Sequence, residues 1–205
     1  MRKFILILFI LVIAVLAWLF FAKRNRDNES HRDKAIAVSK HSSAFNQSVN
    51  NALSAYYDLT ESFVNWDSVT SKVRAKTVKE KLDSLRLEEL KKDSSGISET
   101  AQSFIADAKA NLDSIQSQST LTDQRHSLNN LSQNLYDFLR SVKYDQSKLY
   151  LQECPMAFNE TESGIWLSKA EAIRNPYMGL HHPHYGKGMI DCGEIKDTLN
   201  FMRKK

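Results

Sequence analysis

The sequence predicts a mainly α-helical protein: an antiparallel four-helix bundle with a small C-terminal β-hairpin or loop unit, preceded by one transmembrane helix. Three features favour this fold class. A 19-residue apolar run lies near the start. Residues 24–144 hold one glycine and no proline. Most of the glycines and prolines of the chain follow residue 150. Stretches without helix-breaking residues can form long helices. We therefore expect an anchor with basic flanks at residues 1–27, a helical bundle at 28–148, and a C-terminal unit at 149–205 packed on the bundle.

The apolar run extends from Phe4 to Ala22. It spans roughly 28 Å as a helix, close to the ~30 Å hydrocarbon core of a bilayer. A cleaved signal peptide is the alternative, but its apolar region would cover only ~7–15 residues and end in small side chains. This run ends in "WLFFA". The sequence thus predicts a single-pass anchor in the inner membrane. Flanking charges alone favour a cytoplasmic C-terminal side; we nevertheless expect a signal anchor with the C-terminal domain in the periplasm.

Apolar residues recur at three- and four-residue steps in four segments between residues 31 and 142, which predicts four helices with one apolar face each. Asp67 or Ser68 is a suitable cap for the second helix, and Thr120 with Asp123 forms a capping box for the fourth. Short connections favour an antiparallel bundle. The apolar faces contain Phe45, Val49, Leu53, Tyr56, Leu59 and Phe63; Val69, Val73, Val78, Leu82 and Leu85; Phe104, Ile105, Ala108, Leu112 and Ile115; and Leu128, Leu131, Leu135, Phe138, Leu139 and Val142.

The segment after residue 148 changes character. "LYLQECPMAF" and "GIWLS" have the apolar alternation of short strands, and Trp166 is expected in the core of the resulting hairpin. "RNPY" is a turn set by Asn175 and Pro176. A last short helix is expected from about Glu194 to Met202.

Soft metal ligands are concentrated in this C-terminal unit. Three histidines, two methionines and a cysteine lie within fifteen positions, Met178 to Cys192, of a chain with six His, five Met and two Cys in all. Thiolate, thioether and imidazole are the ligands that Cu(I) and Ag(I) prefer. Residues two apart on a strand face the same side, and residues three apart suit a turn around one ion. The candidate metal ligands are Cys154, Met156, Met178, His181, His182, His184, Met189 and Cys192.

A disulfide between Cys154 and Cys192 is an alternative that the sequence supports equally well. Paired cysteines in an oxidising envelope commonly form a disulfide, and a bridge that closes this loop could stabilise the fold by roughly 3–4 kcal/mol. The methionines would then fill gaps in the core and the histidines would form a polar surface loop. The two alternatives are compatible, because a reduced pair can bind metal and an oxidised pair cannot.

Other classes of function have little support. The net charge is +4, and no basic stripe with interleaved aromatic residues is present, so we expect no nucleic-acid partner. Nucleophile elbows, phosphate loops and His-Glu-x-x-His are missing from the sequence, so we expect no enzyme. The isolated histidines His31, His41 and His126 have no partners at helical spacing and are expected at the surface or its boundary.

The blocks "CPMAF", "WLSKAEAIRNPY" and "GKGMIDCGEIKDTL", in this order from about Glu153 to Leu199, resemble a bacterial envelope domain of unknown function. That domain also occurs at the C-terminus of periplasmic adaptor subunits of copper/silver heavy-metal efflux pumps. The helical part before these blocks fits the same domain loosely. The resemblance implies an envelope protein linked to soft-metal handling. Together with the apolar run and the soft ligands, it leads us to expect an envelope-facing, membrane-anchored protein that binds Cu(I) or Ag(I) as an accessory to heavy-metal homeostasis or efflux, with an efflux or metal-transfer protein as partner. The alternative is a structural or protein-interaction module with a Cys154–Cys192 disulfide and no metal.

Overall fold

The computed structural model describes residues 41–93 and 95–202. The chain divides into two units, residues 1–40 and 41–205, and only the second is described below. The predicted anchor from Phe4 to Ala22 lies outside the described residues, as does His31. Within the described ranges, no helix is both long and apolar enough to cross a bilayer. The predicted fold class, with its transmembrane helix and simple hairpin, is therefore corrected to four α-helices and a three-stranded antiparallel sheet.

The second and third helices run antiparallel, because two ion pairs join a later residue of one helix to an earlier residue of the other. Lys79 of the second helix reaches Asp113 of the third at 2.6 Å, and Lys109 of the third reaches Asp83 of the second at 2.9 Å. The elements are α1 (Ser43–Val64), α2 (Ser68–Asp83), a 3-10 helix (Glu88–Lys92), α3 (Ile97–Ser117), α4 (Leu121–Ser141), β1 (Leu149–Phe158), β2 (Glu162–Ser168) and β3 (Glu194–Leu199).

Both predicted helix caps are confirmed. Asp67 accepts hydrogen bonds from the backbone N–H groups of Val69 (3.1 Å) and Thr70 (2.8 Å) at the start of α2. Thr120 accepts one from the N–H of Asp123 (3.1 Å) at the start of α4. Each cap satisfies N–H groups that have no partner within the helix. The predicted apolar faces of α1 and α4 are buried throughout.

The predicted buried face of α2 is wrong at two positions. Val69 and Val73 are 73% and 62% exposed, whereas Ser71 and Ala75 are fully buried. The Ser71 hydroxyl donates to Oε1 of Gln124 on α4 at 2.8 Å. The first half of the helix packs against the bundle through the small residues Ser71 and Ala75, and the second half through Val78 and Leu82 as predicted. Apolar periodicity alone could not identify the buried positions of the first half.

The predicted surface or boundary position of His41 is also wrong, because the residue is buried, with only 6% of its surface exposed. Its Nδ1 lies 2.8 Å from Oε1 of Glu89 and its Nε2 lies 2.6 Å from the carbonyl oxygen of Val142. The ring stacks on Phe45. His126 is partly exposed and stacks on Phe158, in agreement with a boundary position.

The sheet has the order β2-β1-β3, with both pairs antiparallel. Its third strand replaces the predicted C-terminal helix, and Leu199 pairs with Leu149 while Glu194 pairs with Glu153. A helix of so few residues is marginal by itself. β2 pairs with only one edge of β1. Pairing with β3 satisfies the backbone groups along the other edge, and this tertiary contact makes residues 194–199 a strand rather than a helix.

The sheet and the helices share one core, which contains the fully buried Tyr56 of α1. Its hydroxyl lies 2.7 Å from Oγ of Ser132 on α4 and accepts the N–H of Leu167 on β2 at 3.0 Å. Trp166 is 2% exposed, as predicted for the core beneath the hairpin.

Replacing Tyr56 with Phe should lower the free energy of unfolding by about 1–2 kcal/mol, because the N–H of Leu167 loses its partner in a buried site. Tyr57→Phe is the matched control, since the Tyr57 hydroxyl is buried with no hydrogen-bond partner in the described part of the chain. Its removal should be neutral or slightly stabilising. Urea denaturation of the full chain measures both, and an equal loss in the two variants would contradict the role given to Tyr56.

Candidate thiol site

The structure brings together the two cysteines. Cys154 lies on β1 opposite Gly164 and is fully buried. Cys192 lies in the turn just before β3 and is partly exposed. Their sulfur atoms are 3.4 Å apart although 38 positions separate them in the sequence. Both are free thiols, and their separation exceeds the ~2.05 Å of a disulfide bond.

The site favours the protonated form of the Cys192 thiol. Burial raises the pKa of Cys192 to about 11, and the neighbouring Cys154 thiol contributes to the increase. A buried thiolate would lose hydration without gaining a cationic partner. At neutral pH the Cys192 thiol is therefore protonated, and any reaction or metal ion that requires its thiolate must displace that proton.

Asn175 holds the turn that carries Cys192. It is fully buried, and its Nδ2 donates to the carbonyl of Cys192 at 2.7 Å. Its backbone N–H donates to the carbonyl of Ile190 at 2.8 Å, while its Oδ1 accepts the N–H groups of Tyr177 (2.8 Å) and Met178 (3.0 Å). The sequence analysis identified Asn175 only as a turn former. The signal it could have used is the Asx turn, in which an Asn side chain bonds to the backbone two residues further on.

Gly193 allows the turn to lie directly against β1. Its φ of 139° is a conformation that residues with a Cβ rarely adopt, and a Cβ there would lie 2.6 Å from the carbonyl oxygen of Glu153. The residue after Cys192 must therefore be glycine for the thiol to reach β1.

The predicted methionine ligands occupy three different settings. Met189 is partly buried, and its carbonyl accepts the N–H of Cys192 at 3.1 Å, so these two residues share one turn. Met156 is partly buried, but the strand pairing is irregular after Cys154, so simple alternation does not relate these two side chains. Met178 is 2% exposed and belongs to the core.

Two of the three predicted histidine ligands contact aromatic rings. His181 and His184 are exposed; His184 packs edge-on against Tyr185, and His182 against Trp66. Nδ1 of His182 accepts the N–H groups of His184 (3.2 Å) and Tyr185 (3.3 Å), which leaves its proton on Nε2. Burial lowers the pKa of His182, and Arg125 and His184 add to this effect. Within residues 41–93 and 95–202, no three His, Cys, Asp or Glu side chains form a metal-binding group.

The helical part of the chain is similar to a known protein family. Residues 52–147 match a family described as a protein of unknown function (DUF3347). The match covers most of α1 to α4 and ends before β1 and both cysteines. It agrees with the predicted resemblance to a domain of unknown function, but it covers the helical part, where only a loose fit was predicted, and not residues 153–199; it says nothing of metal-efflux adaptor subunits. No curated protein matches the chain. No solved structure matches it either.

Alkylation of Cys192 in the reduced, folded chain should be slow and should rise about tenfold per pH unit between pH 8 and 10, because only the thiolate reacts. At pH 8 the rate should be about a hundredfold below that of the same cysteine in the chain unfolded in urea, given a pKa raised from 9.0 to about 11. Peptide mass spectrometry after iodoacetamide pulses assigns the rate. A half-maximal rate near the pH found for the unfolded chain would show that burial does not control this thiol.

Proposed function

We propose that the reduced Cys154–Cys192 pair captures a soft monovalent metal ion, Cu(I) or Ag(I). The observation that carries this proposal is the approach of the two sulfurs to 3.4 Å at the junction of β1 and the turn before β3. The ion would be cargo, bound and passed on without chemistry, in an accessory to heavy-metal homeostasis or efflux in the bacterial envelope. A metal-transfer or efflux protein would be the partner.

The donor set favours a soft monovalent ion over zinc. Thiolate and thioether ligands suit soft ions such as Cu(I), whereas a structural zinc ion takes four N, S or O ligands. The two thiols are joined by no further His, Cys, Asp or Glu in the described ranges. Met189 is the best-placed thioether, because it lies in the same turn as Cys192. Partial exposure of Cys192 provides a route for the ion, while Cys154 supplies the buried end of the site.

The reduced full chain should bind one Ag(I) ion, which serves as the probe because its oxidation state needs no control. Either Cys154→Ser or Cys192→Ser should weaken Ag(I) binding by more than about a hundredfold. Loss of a direct ligand should exceed the ~10–100-fold effect of losing an outer-shell partner. Met189→Leu should weaken binding to a smaller extent, and Met178→Leu, a core substitution of similar volume, is the matched control. Competition titration measures the affinities. Unchanged uptake in both serine variants would refute the proposal.

A second candidate is a structural or protein-interaction module with a Cys154–Cys192 disulfide and no metal. The same approach of the sulfurs supports it, because closing by about 1.4 Å would bring them to bonding distance. Such a bond would fasten the turn before β3 to β1. Its formation removes the two thiols that the metal proposal requires.

For this candidate, oxidation of the full chain should raise the free energy of unfolding by roughly 3–4 kcal/mol. Denaturation with and without reductant measures the gain, with a Cys154→Ser/Cys192→Ser double variant as the control that should not respond to reductant. Thiol counting separates the candidates. Two thiols that Ag(I) protects favour metal capture, whereas no free thiol and no response to Ag(I) favour the disulfide module.

A further inference from the structure

Arg125 of α4 is a buried cation, and none of the described residues is an anionic partner for it. Only 6% of the residue is exposed, and its Nε and Nη2 atoms have no hydrogen-bond partner within the described part of the chain. No carboxylate in those ranges forms an ion pair with it. Burying a charged group without a partner costs several kcal/mol, so a fold that retains this arrangement calls for a compensating ligand.

The two unpartnered nitrogens lie on one edge of the guanidinium plane. Nε–H and one N–H of Nη2 point in parallel from that edge, and this fork matches the two oxygens of a carboxylate or a phosphate. A single missing hydrogen bond could be filled by water, but an entire free edge has the geometry of a bidentate oxyanion site.

The surroundings hold Arg125 in place without neutralising it. The centre of its guanidinium lies 3.9 Å from the centroid of the Trp66 ring, and the Trp66 indole N–H donates to the carbonyl of Met178 at 2.9 Å. His182 packs edge-on against the same indole with a centroid distance of 5.2 Å. Burial lowers the pKa of Arg125 to about 10, so the group remains charged at neutral pH. A charge-assisted hydrogen bond is strong in such a buried setting.

We propose that Arg125 anchors a binding site for a small oxyanion, a carboxylate or a phosphate, whose two oxygens accept from Nε and Nη2. His182, with its proton on Nε2, is an additional neutral donor in the same neighbourhood. Nε and Nη2 have no exposed surface, so an anion that reaches them must displace part of the side-chain packing around Arg125. This site is separate from the thiol pair and does not depend on the function proposed for it.

The test is a titration of the full ¹⁵N-labelled chain with inorganic phosphate and, separately, with sodium acetate. Sodium chloride at matched ionic strength is the control for general charge screening. We expect a saturable shift of the Arg125 Nε–H resonance and a rise in Tm of a few degrees at about ten times the Kd. A response to acetate alone identifies a carboxylate, and a response to phosphate alone identifies a phosphate; either supports the site. No saturable shift beyond that of sodium chloride overturns the proposal.

Two variants make the test specific. Arg125→Lys keeps the charge but lacks the planar fork, and it should weaken anion binding at least about tenfold. Arg174→Lys is the matched control, because Arg174 is exposed and already bonded to Glu61; binding should be unchanged. Should Arg125→Lys fail to fold, the unmodified chain still decides the matter. Equal shifts at Arg125 and at the exposed arginines would mean non-specific association and would overturn the proposal.

Discussion

Asn175 is the residue on which the arrangement of the C-terminal unit depends. Its amide and backbone groups together bond the N–H of Tyr177, Met178 and Gly179 on one side and the carbonyls of Ile190 and Cys192 on the other. These bonds close an irregular segment that has no regular ladder of its own. Since the residue is fully buried, each bond is protected from competition with water, and each group would cost free energy if left without a partner.

The segment that Asn175 closes also meets the end of α1. The N–H of Leu180 donates to the carbonyl of Val64 at 2.8 Å, and a Cβ on Gly179 would lie 2.5 Å from the Trp66 indole nitrogen. Trp66 itself has a φ of 58°, a strained conformation for a bulky residue. This conformation belongs to the left-handed motif that ends α1, in which the Trp66 N–H donates to the carbonyl of Phe63 and the Asp67 N–H to that of Ser62. One segment therefore positions both the thiol pair and the surroundings of Arg125.

The parts of this fold that sequence could predict are those set by nearby residues. The caps at Asp67 and Thr120 depend on groups two or three positions away, and both were predictable. The strand β3 was not, because its conformation depends on the open edge of β1, some 45 positions earlier. The burial of His41 depends on Glu89 and Val142, 48 and 101 positions away. For the site, ligand type pointed to the two cysteines, but nothing in the composition of the histidine loop could show that its rings would pack on Trp66 and Tyr185.

The way the two sulfurs are held bears on which chemistry they can perform. The backbone at Cys192 is fixed on three sides: its carbonyl by Asn175, its N–H by Met189, and the next residue by contact of Gly193 with Glu153. Cys154 is fixed by strand pairing: β1 pairs with both neighbouring strands as far as Glu153, and Cys154 itself pairs with Gly164 of β2. Adjustment is thus left mainly to rotation of the two side chains, over a distance of an ångström or so. A pair held in this way loses little conformational freedom when a bond or an ion joins it. The same preorganisation would suit either a disulfide or the ion capture proposed above, and the redox state of the thiols, rather than any rearrangement of the fold, would then select between the two.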